Sequence, residues 1–455
     1  MGRYFGTDGI RGSFGTDPVT ELFAFRLALA LGNFINQQTE DSLNSKIIIG
    51  RDTRFSGQLL ESAMQKAFDS VGISVNFLGI VPTPAVALGV LHFNASLGIA
   101  LTASHNPASD NGIKLFNHKG EKFSIAEESK IEEIIDSLDI KDSEIFAVLE
   151  EKVQNPISYL DSSYYNEKIQ LAMKTHSLKG FKIVLDCANG ASFQISPQVL
   201  KALGADLVLI GVSPNGENIN NQVGSEYPEN LAKLVIEHKA DLGLAHDGDA
   251  DRLVVCDEKG QILDGDLLIG LYALHALKMN KLNNKTIVLT VQSNLGLDKS
   301  LQEAGLKVVR VPVGDRNVAE KMRELGAQIG GESSGHILFL DSCPAGDGLL
   351  AALELLKLLI EEECHLSEMH SLIKLYPQKT KNLKVREKVT FDQLPRFKDV
   401  IKHGESLLGV EGRVLVRYSG TESKLRILVE SKSENLASEV MQIIVTEACN
   451  SLSII

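Results

Sequence analysis

The fold is decided by Ile47-Ile48-Ile49-Gly50-Arg51-Asp52, an apolar run of strand length that ends in a polar turn. Residues 57–71, which follow it, carry apolar side chains at helical spacing. The same succession occurs twice more, with Ile183-Val184-Leu185-Asp186-Cys187-Ala188-Asn189-Gly190 before residues 193–203 and with Ile287-Val288-Leu289-Thr290-Val291-Gln292 before residues 296–304. Short apolar strands that alternate with helices predict three similar α/β domains with parallel or mixed sheets and crossover helices.

The length of 455 residues is too great for one hydrophobic core and, at about 150 residues per domain, predicts three or so domains. Polar stretches with turn-forming residues place boundaries at 152–156, near 258–260 and around 376–378. The last part of the chain differs, because strand-like runs at 413–417 and 425–429 precede a helix-like tail at 435–449. We therefore predict α/β domains at 1–153, 154–257 and 258–375, and a smaller C-terminal α+β domain at 376–455.

Charge and composition exclude several classes of protein. The net charge of −13 argues against a general nucleic-acid binder, which needs a basic surface. The five cysteines are widely spaced and predict free, mostly buried thiols. The first nine residues lack the apolar core of a signal peptide, and the apolar stretch 348–360 is short and interrupted by charges, so it predicts a buried helix. We expect a cytoplasmic monomer or homodimer with no nucleic-acid or membrane partner.

Four short polar motifs are typical of proteins that handle phosphate. They are Thr102-Ala103-Ser104-His105-Asn106-Pro107, Asp247-Gly248-Asp249-Ala250-Asp251-Arg252, Gly331-Glu332-Ser333-Ser334-Gly335-His336 and Arg417-Tyr418-Ser419-Gly420-Thr421-Glu422. Each falls in a different predicted domain. Because the net charge is negative, lysines and arginines near these motifs would have to attract an anion locally.

The second motif predicts a cation site. Asp247, Asp249 and Asp251 alternate, so in an extended or loosely looped segment their carboxylates share one side. Ligands that are all oxygen suit Mg²⁺ or Ca²⁺ rather than zinc. A solvated acidic turn is the alternative. An EF-hand loop is excluded, because Arg252 stands where that loop needs glycine and the flanking runs are typical of strands rather than helices.

The first motif predicts a reactive hydroxyl. Ser104 follows the strand-like run at 97–101, and ligands of parallel α/β sheets bind at the carboxyl ends of the strands. A free serine needs a base to become a nucleophile, whereas a phosphoserine is itself the phosphoryl donor. A loop serine that only forms a turn is an equally good reading of this motif alone.

The third and fourth motifs and two further cations are also candidate site residues, and each has an ordinary structural alternative. Glycines beside Glu332 and Ser334 would let a ligand approach these polar groups, while His336 is also consistent with an ordinary histidine at a strand edge. The motif from Arg417 resembles a phosphate-binding loop, with an exposed charged hairpin as the alternative. Beside Arg417, the residues of this motif that would bind phosphate are Ser419, Gly420 and Thr421. Arg11 and Lys114 are two further cationic side chains, which either bind an anion or are ordinary surface charges.

Taken together, these motifs resemble the α-D-phosphohexomutase family along the whole chain and in the family's order. The opening Tyr4-Phe5-Gly6-Thr7-Asp8-Gly9-Ile10-Arg11-Gly12 and the paired glycines before Glu332 resemble the branch that acts on glucosamine phosphates. The resemblance implies four domains around a central cleft. It also implies a phosphoserine at Ser104, Mg²⁺ on Ser104, Asp247, Asp249 and Asp251, catalytic support from Lys114, Arg11 and Arg252, and substrate contacts from Glu332, Ser334, His336, Arg417, Ser419, Gly420 and Thr421.

The activity implied by the resemblance is the interconversion of glucosamine 6-phosphate and glucosamine 1-phosphate for UDP-N-acetylglucosamine synthesis, through a bound 1,6-bisphosphate sugar. Three alternatives remain: a mutase of the same family for glucose or mannose phosphates, a Mg²⁺-dependent sugar phosphatase, and a non-catalytic protein that binds sugar phosphates. In one loop the chain departs from the family, because Ser423 stands where many members have proline. That difference puts the affinity of the phosphate loop in question.

Overall fold

A computed structural model describes residues 2–38, 46–151, 157–174, 176–419 and 423–455. The chain divides into two compact units. The first unit comprises Met1–Val291 and Val309–Met369, and the second comprises Gln292–Val308 and His370–Ile455.

The first sheet has the strand order β1-β5-β4-β2-β3. Its central strand β2 runs parallel to β3 and β4, whereas β5 is antiparallel to β4 and to β1. The strands are β1 (Ile10–Ser13), β2 (Lys46–Arg51), β3 (Ser74–Ile80), β4 (Leu97–Leu101) and β5 (Asp110–Asn117), and the helices are α1 (Glu21–Gln38), α2 (Phe55–Ser70), α3 (Thr83–His92), α4 (Ile125–Ser137) and α5 (Asp142–Glu150).

The second sheet repeats this arrangement, with the order β10-β9-β8-β6-β7. Here β6 runs parallel to β7 and β8, and β9 is antiparallel to β8 and β10. The elements are α6 (Ser163–Gln170), β6 (Lys182–Asp186), α7 (Ile195–Ala202), β7 (Asp206–Ile210), α8 (Pro228–His238), β8 (Leu242–Ala245), β9 (Val254–Asp257) and β10 (Ile262–Leu263).

The third sheet has the order β12-β11-β13-β14, with β13 parallel to β11 and antiparallel to β14. The elements of this part of the chain are α9 (Gly265–Lys278), β11 (Thr286–Thr290), α10 (Leu295–Glu303), β12 (Lys307–Val311), α11 (Asp315–Leu325), β13 (Ile329–Gly331), β14 (Ile337–Phe339) and α12 (Gly348–Glu362). The apolar stretch predicted as a buried helix is α12, whose side chains from Gly348 to Leu353 are all buried.

The last sheet is antiparallel, with the order β15-β17-β16. Its strands and helices are β15 (Gln378–Lys384), α13 (Pro395–Leu408), β16 (Gly412–Tyr418), β17 (Lys424–Ser431) and α14 (Glu434–Ser451). Short 3₁₀ helices lie at Leu366–Leu372, Phe391–Gln393 and Gly409–Glu411. A compact core that includes Phe397, Ile427 and Ile444 packs the two helices against the sheet.

These elements confirm the predicted class, with three similar α/β parts followed by a smaller α+β part. The apolar runs of the sequence form the buried centres of the sheets, because β2, β6 and β11 each carry isoleucine, valine or leucine side chains that solvent does not reach. The domain boundaries and the central cleft stay predictions. All five cysteines are free, and Cys187, Cys256 and Cys343 are buried. Within the described residues, every helix is too short or too polar to span a bilayer.

The ends of three strands position the polar motifs. The loop with Ser104 follows β4, the loop with the three aspartates follows β8, and Glu332 follows β13 directly. Lys114 lies on β5, opposite Ala100 of β4. The chain therefore presents these side chains at strand ends, where α/β sheets commonly hold their ligands.

Candidate active site

Ser104 lies in a buried and conformationally unusual position. Its side chain is fully buried, and its backbone φ of 53° lies in the left-handed region, which is uncommon for residues other than glycine. Its amide donates a hydrogen bond of 2.9 Å to Thr102 Oγ1. Such a conformation persists only where the surrounding structure holds it, and it is frequent at functional sites.

The hydroxyl of Ser104 lies within hydrogen-bond distance of two side chains. Its Oγ donates to Asp247 Oδ2 at 2.5 Å and lies 3.2 Å from His105 Nδ1. Burial, with Arg252 and Arg11 nearby, lowers the pKa of His105 to about 4. The imidazole is therefore neutral near pH 7.

Asp247, Asp249 and Asp251 form a buried trio whose ligand oxygens all lie within 4.8 Å of one another. Of the two predicted arrangements, an extended or a loosely looped segment, the structure has a loop with a tight turn. Ala250 has a φ of 56°, and its amide donates a hydrogen bond of 3.1 Å to the carbonyl of Asp247. The turn brings together three like charges that repel one another unless a cation lies among them.

Three side chains from other elements contact the trio. Lys114 Nζ donates hydrogen bonds of 2.8 Å to Asp249 Oδ2 and to Asp251 Oδ2. Thr83 Oγ1, at the start of α3, donates to Asp249 Oδ2 at 2.6 Å, and His336 Nε2 lies 2.7 Å from Asp251 Oδ1. Asp249 Oδ1 has no hydrogen-bond partner among the described residues.

The electrostatics of the trio are uneven. Burial, with Asp251 and Asp249 close by, raises the pKa of Asp247 to about 7. Burial alone would lower the pKa of Lys114, but Asp249, Asp251 and Asp8 outweigh it and raise the pKa well above its usual value. In the same way, Asp251 outweighs burial and raises the pKa of His336 to about 10. Two buried cations therefore already compensate part of the negative charge.

The trio fits a metal ion. Its donors are all carboxylate oxygens, one of which lacks a partner among the described residues, and the three residues are at most 2% exposed. Hard divalent cations prefer such oxygen ligands. Ser104 Oγ lies beside this cluster, so a group bound to that oxygen would lie next to any cation that the trio held.

Further cations surround the same place. Arg11 on β1 forms an ion pair with Asp8, and its Nε has no hydrogen-bond partner among the described residues. Asp8 also lies 3.3 Å from Lys114 Nζ. Arg252 follows the trio directly, and its Nε lies 3.9 Å from Asp247 Oδ2. Arg11, Lys114 and Arg252 thus lie within one charged cluster.

Of the predicted sugar-contacting residues, two face the interior and one faces solvent. Glu332 is 8% exposed, and its Oε1 accepts a hydrogen bond of 2.9 Å from the amide of Gly314. Ser334 is exposed. His336 joins this loop to the trio through Asp251 and lies 3.4 Å from Glu332 Oε2. Both ring nitrogens of His336 thus face carboxylates, and its contact with the sugar stays a prediction.

The fourth motif belongs to the second unit. Arg417 on β16 lies directly opposite Arg426 on β17 in the antiparallel register. Ser419 is 3% exposed, its carbonyl accepts a hydrogen bond of 2.7 Å from Lys388 Nζ, and Arg426 Nη2 lies 3.4 Å from its Oγ. Gly420 and Thr421 lie outside the described residues. The described part of the loop is thus rich in cations.

Sequence reasoning missed several residues of the site. Asp8 stands in the quoted opening stretch, where a carboxylate beside Arg11 was a usable signal. Thr83, Arg54 and Asn220 lie in segments without a recognisable pattern, and the folded chain alone brings them to the motifs. Arg54 and Asn220 both donate hydrogen bonds to the carbonyl of Ser104.

Four family models match successive parts of the chain. The descriptions are phosphoglucomutase/phosphomannomutase alpha/beta/alpha domain I at residues 2–141, domain II at 158–260, domain III at 264–376, and the C-terminal domain at 381–447. Together these matches span most of the chain.

Several relatives match nearly the full length. A phosphoglucosamine mutase from Clostridioides difficile is 43% identical over 443 residues, which cover 97% of each protein. Another, from Nitratidesulfovibrio vulgaris, is 43% identical over 432 residues, covering 94% of this chain and 95% of the relative. A third, from Protochlamydia amoebophila, is 41% identical over 455 residues, covering 99% and 98%.

Solved structures share the fold. A phosphoglucomutase/phosphomannomutase family protein from Burkholderia thailandensis matches with a TM-score of 0.79 at 23% identity and covers 100% of both chains. An N-acetylphosphoglucosamine mutase from Aspergillus fumigatus, solved with GlcNAc-6P and magnesium, matches with a TM-score of 0.66 at 18% identity and covers 98% of this chain and 96% of its own.

Proposed function

This chain belongs to the phosphoglucomutase/phosphomannomutase family, and we propose that it interconverts glucosamine 6-phosphate and glucosamine 1-phosphate, as a phosphoglucosamine mutase does. One observation carries the chemistry: the hydroxyl of Ser104 donates to Asp247 at 2.5 Å, inside a buried trio of aspartates. The relatives of about 42% identity favour glucosamine phosphates as substrates.

In the proposed reaction Ser104 carries a phosphoryl group. The C1 hydroxyl oxygen of glucosamine 6-phosphate attacks the phosphorus, the bond from phosphorus to Ser104 Oγ breaks, and the proton of the sugar hydroxyl passes through a base to the departing Oγ. The product is a 1,6-bisphosphate and a free Ser104. Ser104 Oγ then attacks the phosphorus of the C6 phosphate, and the bond from phosphorus to the C6 oxygen breaks. The serine proton passes to that oxygen, glucosamine 1-phosphate leaves, and the phosphoserine is restored. The sugar must therefore turn between the two transfers, so that first its C1 oxygen and then its C6 phosphate faces Ser104.

The residues of the first unit support this transfer in distinct ways. Asp247 accepts the hydrogen bond of the free hydroxyl and so orients Oγ toward the incoming phosphorus. We assign Mg²⁺ to Asp247, Asp249, Asp251 and the phosphorylated Ser104, where it would neutralise charge on the phosphoryl oxygens. Lys114, Arg11 and Arg252 concentrate positive charge at the same place, which offsets the negative net charge for an anionic substrate.

The remaining assignments concern the substrate. Glu332, Ser334 and His336 are proposed to contact the sugar hydroxyls, which a loop with acceptor and donor groups suits. Arg417 and Ser419, with Gly420 and Thr421 outside the described residues, are proposed to hold the phosphate that does not react, because opposed arginines favour an anion.

The test follows phosphate on Ser104. Intact mass of the purified protein, before and after incubation with glucosamine 6-phosphate and Mg²⁺, reports phosphorylation and exchange, while a coupled assay reports glucosamine 1-phosphate. We expect a phosphoryl group on Ser104 and product formation without net release of inorganic phosphate. Ser104→Ala should lose both, whereas Ser109→Ala, a change of an exposed serine in the same loop, should retain both.

Other outcomes separate the alternatives. Stoichiometric release of inorganic phosphate would identify a phosphatase, and binding of the sugar phosphate without label on Ser104 would identify a non-catalytic binder. A higher kcat/KM for glucose 1-phosphate or mannose 1-phosphate than for the amino sugar would assign the chain to another specificity of the same family. A Ser104→Ala variant with normal rates would refute the proposed chemistry.

The proposal also covers the cellular location and the oligomeric state of the enzyme. Five free thiols, three of them buried, are consistent with the reducing cytoplasm. A monomer or a homodimer is expected. Cell fractionation and light scattering of the purified protein test these two statements.

A further inference from the structure

Two carbonyl oxygens of the loop with Ser104 accept hydrogen bonds from the same two side chains. Arg54 Nη2 donates to Ser104 O at 3.0 Å and to Asn106 O at 2.9 Å. Asn220 Nδ2 donates to the same oxygens at 2.8 Å and 2.9 Å. We name these two side chains the loop clamp.

Arg54 also binds the loop at two later residues, Pro107 and Asp110. Its Nη1 donates to Asp110 O at 3.0 Å and to Pro107 O, and its Nε donates to Asp52 Oδ2 at 2.9 Å. The side chain is fully buried, and Asp52 compensates its charge at close range. Arg54 therefore acts on the loop backbone rather than as a cation offered to phosphate.

Asn220 reaches the loop from the part of the chain that holds the second sheet. Its backbone has a φ of 58°, and its backbone N–H donates a hydrogen bond of 2.8 Å to Ala188 O. The residue is 7% exposed. Gly248 of the aspartate loop packs against the same place, because a Cβ there would lie 3.0 Å from Asn220 Nδ2 and would collide with Ser104 O. The loop that holds Ser104, the loop that holds the three aspartates and the side chain of Asn220 thus all lie against the carbonyl oxygen of Ser104.

We propose that Arg54 and Asn220 are positioning residues, which hold Ser104 in its left-handed conformation and so fix Oγ beside Asp247. The inference rests on the proposed function. Phosphoryl transfer depends on alignment of donor, phosphorus and acceptor, and small displacements are costly. Both half-reactions use the same Oγ, so its position must be kept whether or not it carries phosphate. Neither Arg54 nor Asn220 contacts that oxygen.

The sharpest test compares Asn220→Ala with Asn220→Asp in the mutase assay. Asparagine and aspartate have nearly the same shape, but a carboxylate in place of the amide faces two carbonyl oxygens with an acceptor instead of a donor. We expect kcat to fall on the order of 10-fold in Asn220→Ala and further in Asn220→Asp, with KM within about twofold of wild type because the sugar contacts are untouched. If shape alone mattered, Asn220→Asp would be the more active of the two.

The control is Asn218→Ala in the same loop. The side chain of Asn218 makes hydrogen bonds within that loop, from Nδ2 to Ser213 O at 3.0 Å and from the backbone N–H of Asn215 to Oδ1 at 2.9 Å. This variant should keep the wild-type kcat. Arg54→Lys, which keeps the charge but loses the planar fork, should lower kcat and slow label transfer from a 1,6-bisphosphate to Ser104. Wild-type-like kcat in both Asn220 variants, with an active wild type, would overturn the inference alone; an inactive wild type would instead refute the proposed function.

Discussion

The hydroxyl of Ser104 donates a hydrogen bond of 2.5 Å to a carboxylate oxygen of Asp247. The two residues follow strands of different sheets, β4 and β8, so the contact joins the loops of two sheets within the first unit. Their loops also meet through the backbone, where Gly248 packs on the carbonyl of Ser104. The position of the hydroxyl relative to the trio therefore depends on a close fit between two loops.

Gly248→Ala should test that fit. The added Cβ would collide with Ser104 O and approach Ile219 Cδ1 to 2.9 Å, so the two loops must separate. Overpacking of this kind costs about 1–3 kcal/mol of folding free energy. We expect kcat to fall by roughly 10-fold or more, because the Oγ of Ser104 moves away from Asp247. Steady-state kinetics and thermal melting of the purified variant measure the two effects.

Gly72→Ala is the matched control. Gly72 has a φ of 73°, so alanine there strains the backbone, but its Cβ would meet no atom within 4 Å. The variant should lose about 1 kcal/mol of stability and keep the wild-type kcat. Equal losses of activity in both variants would attribute the effect of Gly248→Ala to general destabilisation.

Lys114→Met should make the protein depend more strongly on a divalent cation. Without this ammonium group, Asp249 and Asp251 each lose a hydrogen bond of 2.8 Å and keep only Thr83 and His336 as the partners described above. Removing one partner of a buried ion pair destabilises a protein by up to about 3–5 kcal/mol. A bound cation compensates the same oxygens and stabilises the folded state by mass action. We expect a lower melting temperature in EDTA and a larger rise on addition of Mg²⁺ than in wild type.

Lys122→Met separates this effect from the loss of any buried lysine. Lys122 forms ion pairs with Asp8 and, at 2.6 Å, with Asp315, and both of these carboxylates lie outside the trio. Its loss should lower the melting temperature by a similar amount in EDTA and in Mg²⁺. A Lys114→Met variant with the same Mg²⁺ response as Lys122→Met would speak against a cation on the trio.

The pH dependence of stability should change in Asp347→Asn. Burial raises the pKa of Asp347 from 3.8 to about 7. Between these values the unfolded chain releases the proton while the folded protein keeps it, so Asp347 lowers stability progressively as pH rises from about 4 to 7. Asparagine keeps the cap on Leu350 N, where Asp347 Oδ1 accepts at 3.0 Å, and still bonds the hydroxyl of Tyr165.

Denaturation midpoints of wild type and Asp347→Asn at pH 5 and pH 8 measure this contribution. Between pH 5 and pH 8 the variant should gain about 1–3 kcal/mol of stability relative to wild type, because a pKa that differs by one between the folded and the unfolded protein corresponds to roughly 1.4 kcal/mol. A constant difference across this pH range would mean that Asp347 titrates normally.

The fold could be predicted because its signals are local. The apolar run from Ile47 and its two successors are strands, and the helices that follow begin within two residues of the predicted positions, at Phe55, Ile195 and Leu295. Strand length, apolar content and helical spacing are properties of neighbouring residues, so a single sequence reveals them. The order of strands in each sheet was not accessible in the same way, because it depends on pairing across long separations.

The site could be predicted in part, for a related reason. The motifs of Ser104 and Asp247 stand out as short clusters of polar residues after apolar strands. Arg54, Thr83 and Asn220 do not, because each acts through a contact with residues far away in the chain: Asn220 is 116 positions from Ser104, and Thr83 is 166 from Asp249. Side chains that support a motif have no pattern of their own.

Arg417→Gln should weaken substrate binding without weakening the fold. Arg417 and Arg426 lie directly opposite each other, and like charges in that position destabilise a sheet by about 0.2–1 kcal/mol. Burial, together with Arg426, lowers the pKa of Arg417, and its Nε has no hydrogen-bond partner among the described residues. Without ligand, the melting temperature should therefore stay the same or rise slightly. With substrate, the loss of a bidentate contact to phosphate should raise KM on the order of 10-fold or more and change kcat less.

Arg413→Gln on the same strand is the matched control for this prediction. Arg413 forms an ion pair with the buried Glu430, so its loss leaves a buried carboxylate poorly compensated and should lower the melting temperature. It lies two strand repeats before Arg417, on the same face of β16 and farther from the phosphate motif. Its KM should match wild type. If Arg413→Gln raised KM and Arg417→Gln did not, the kinetic effect would follow the stability of the sheet rather than the charge of Arg417. The assignment of substrate phosphate to the loop that begins at Arg417 would then be wrong.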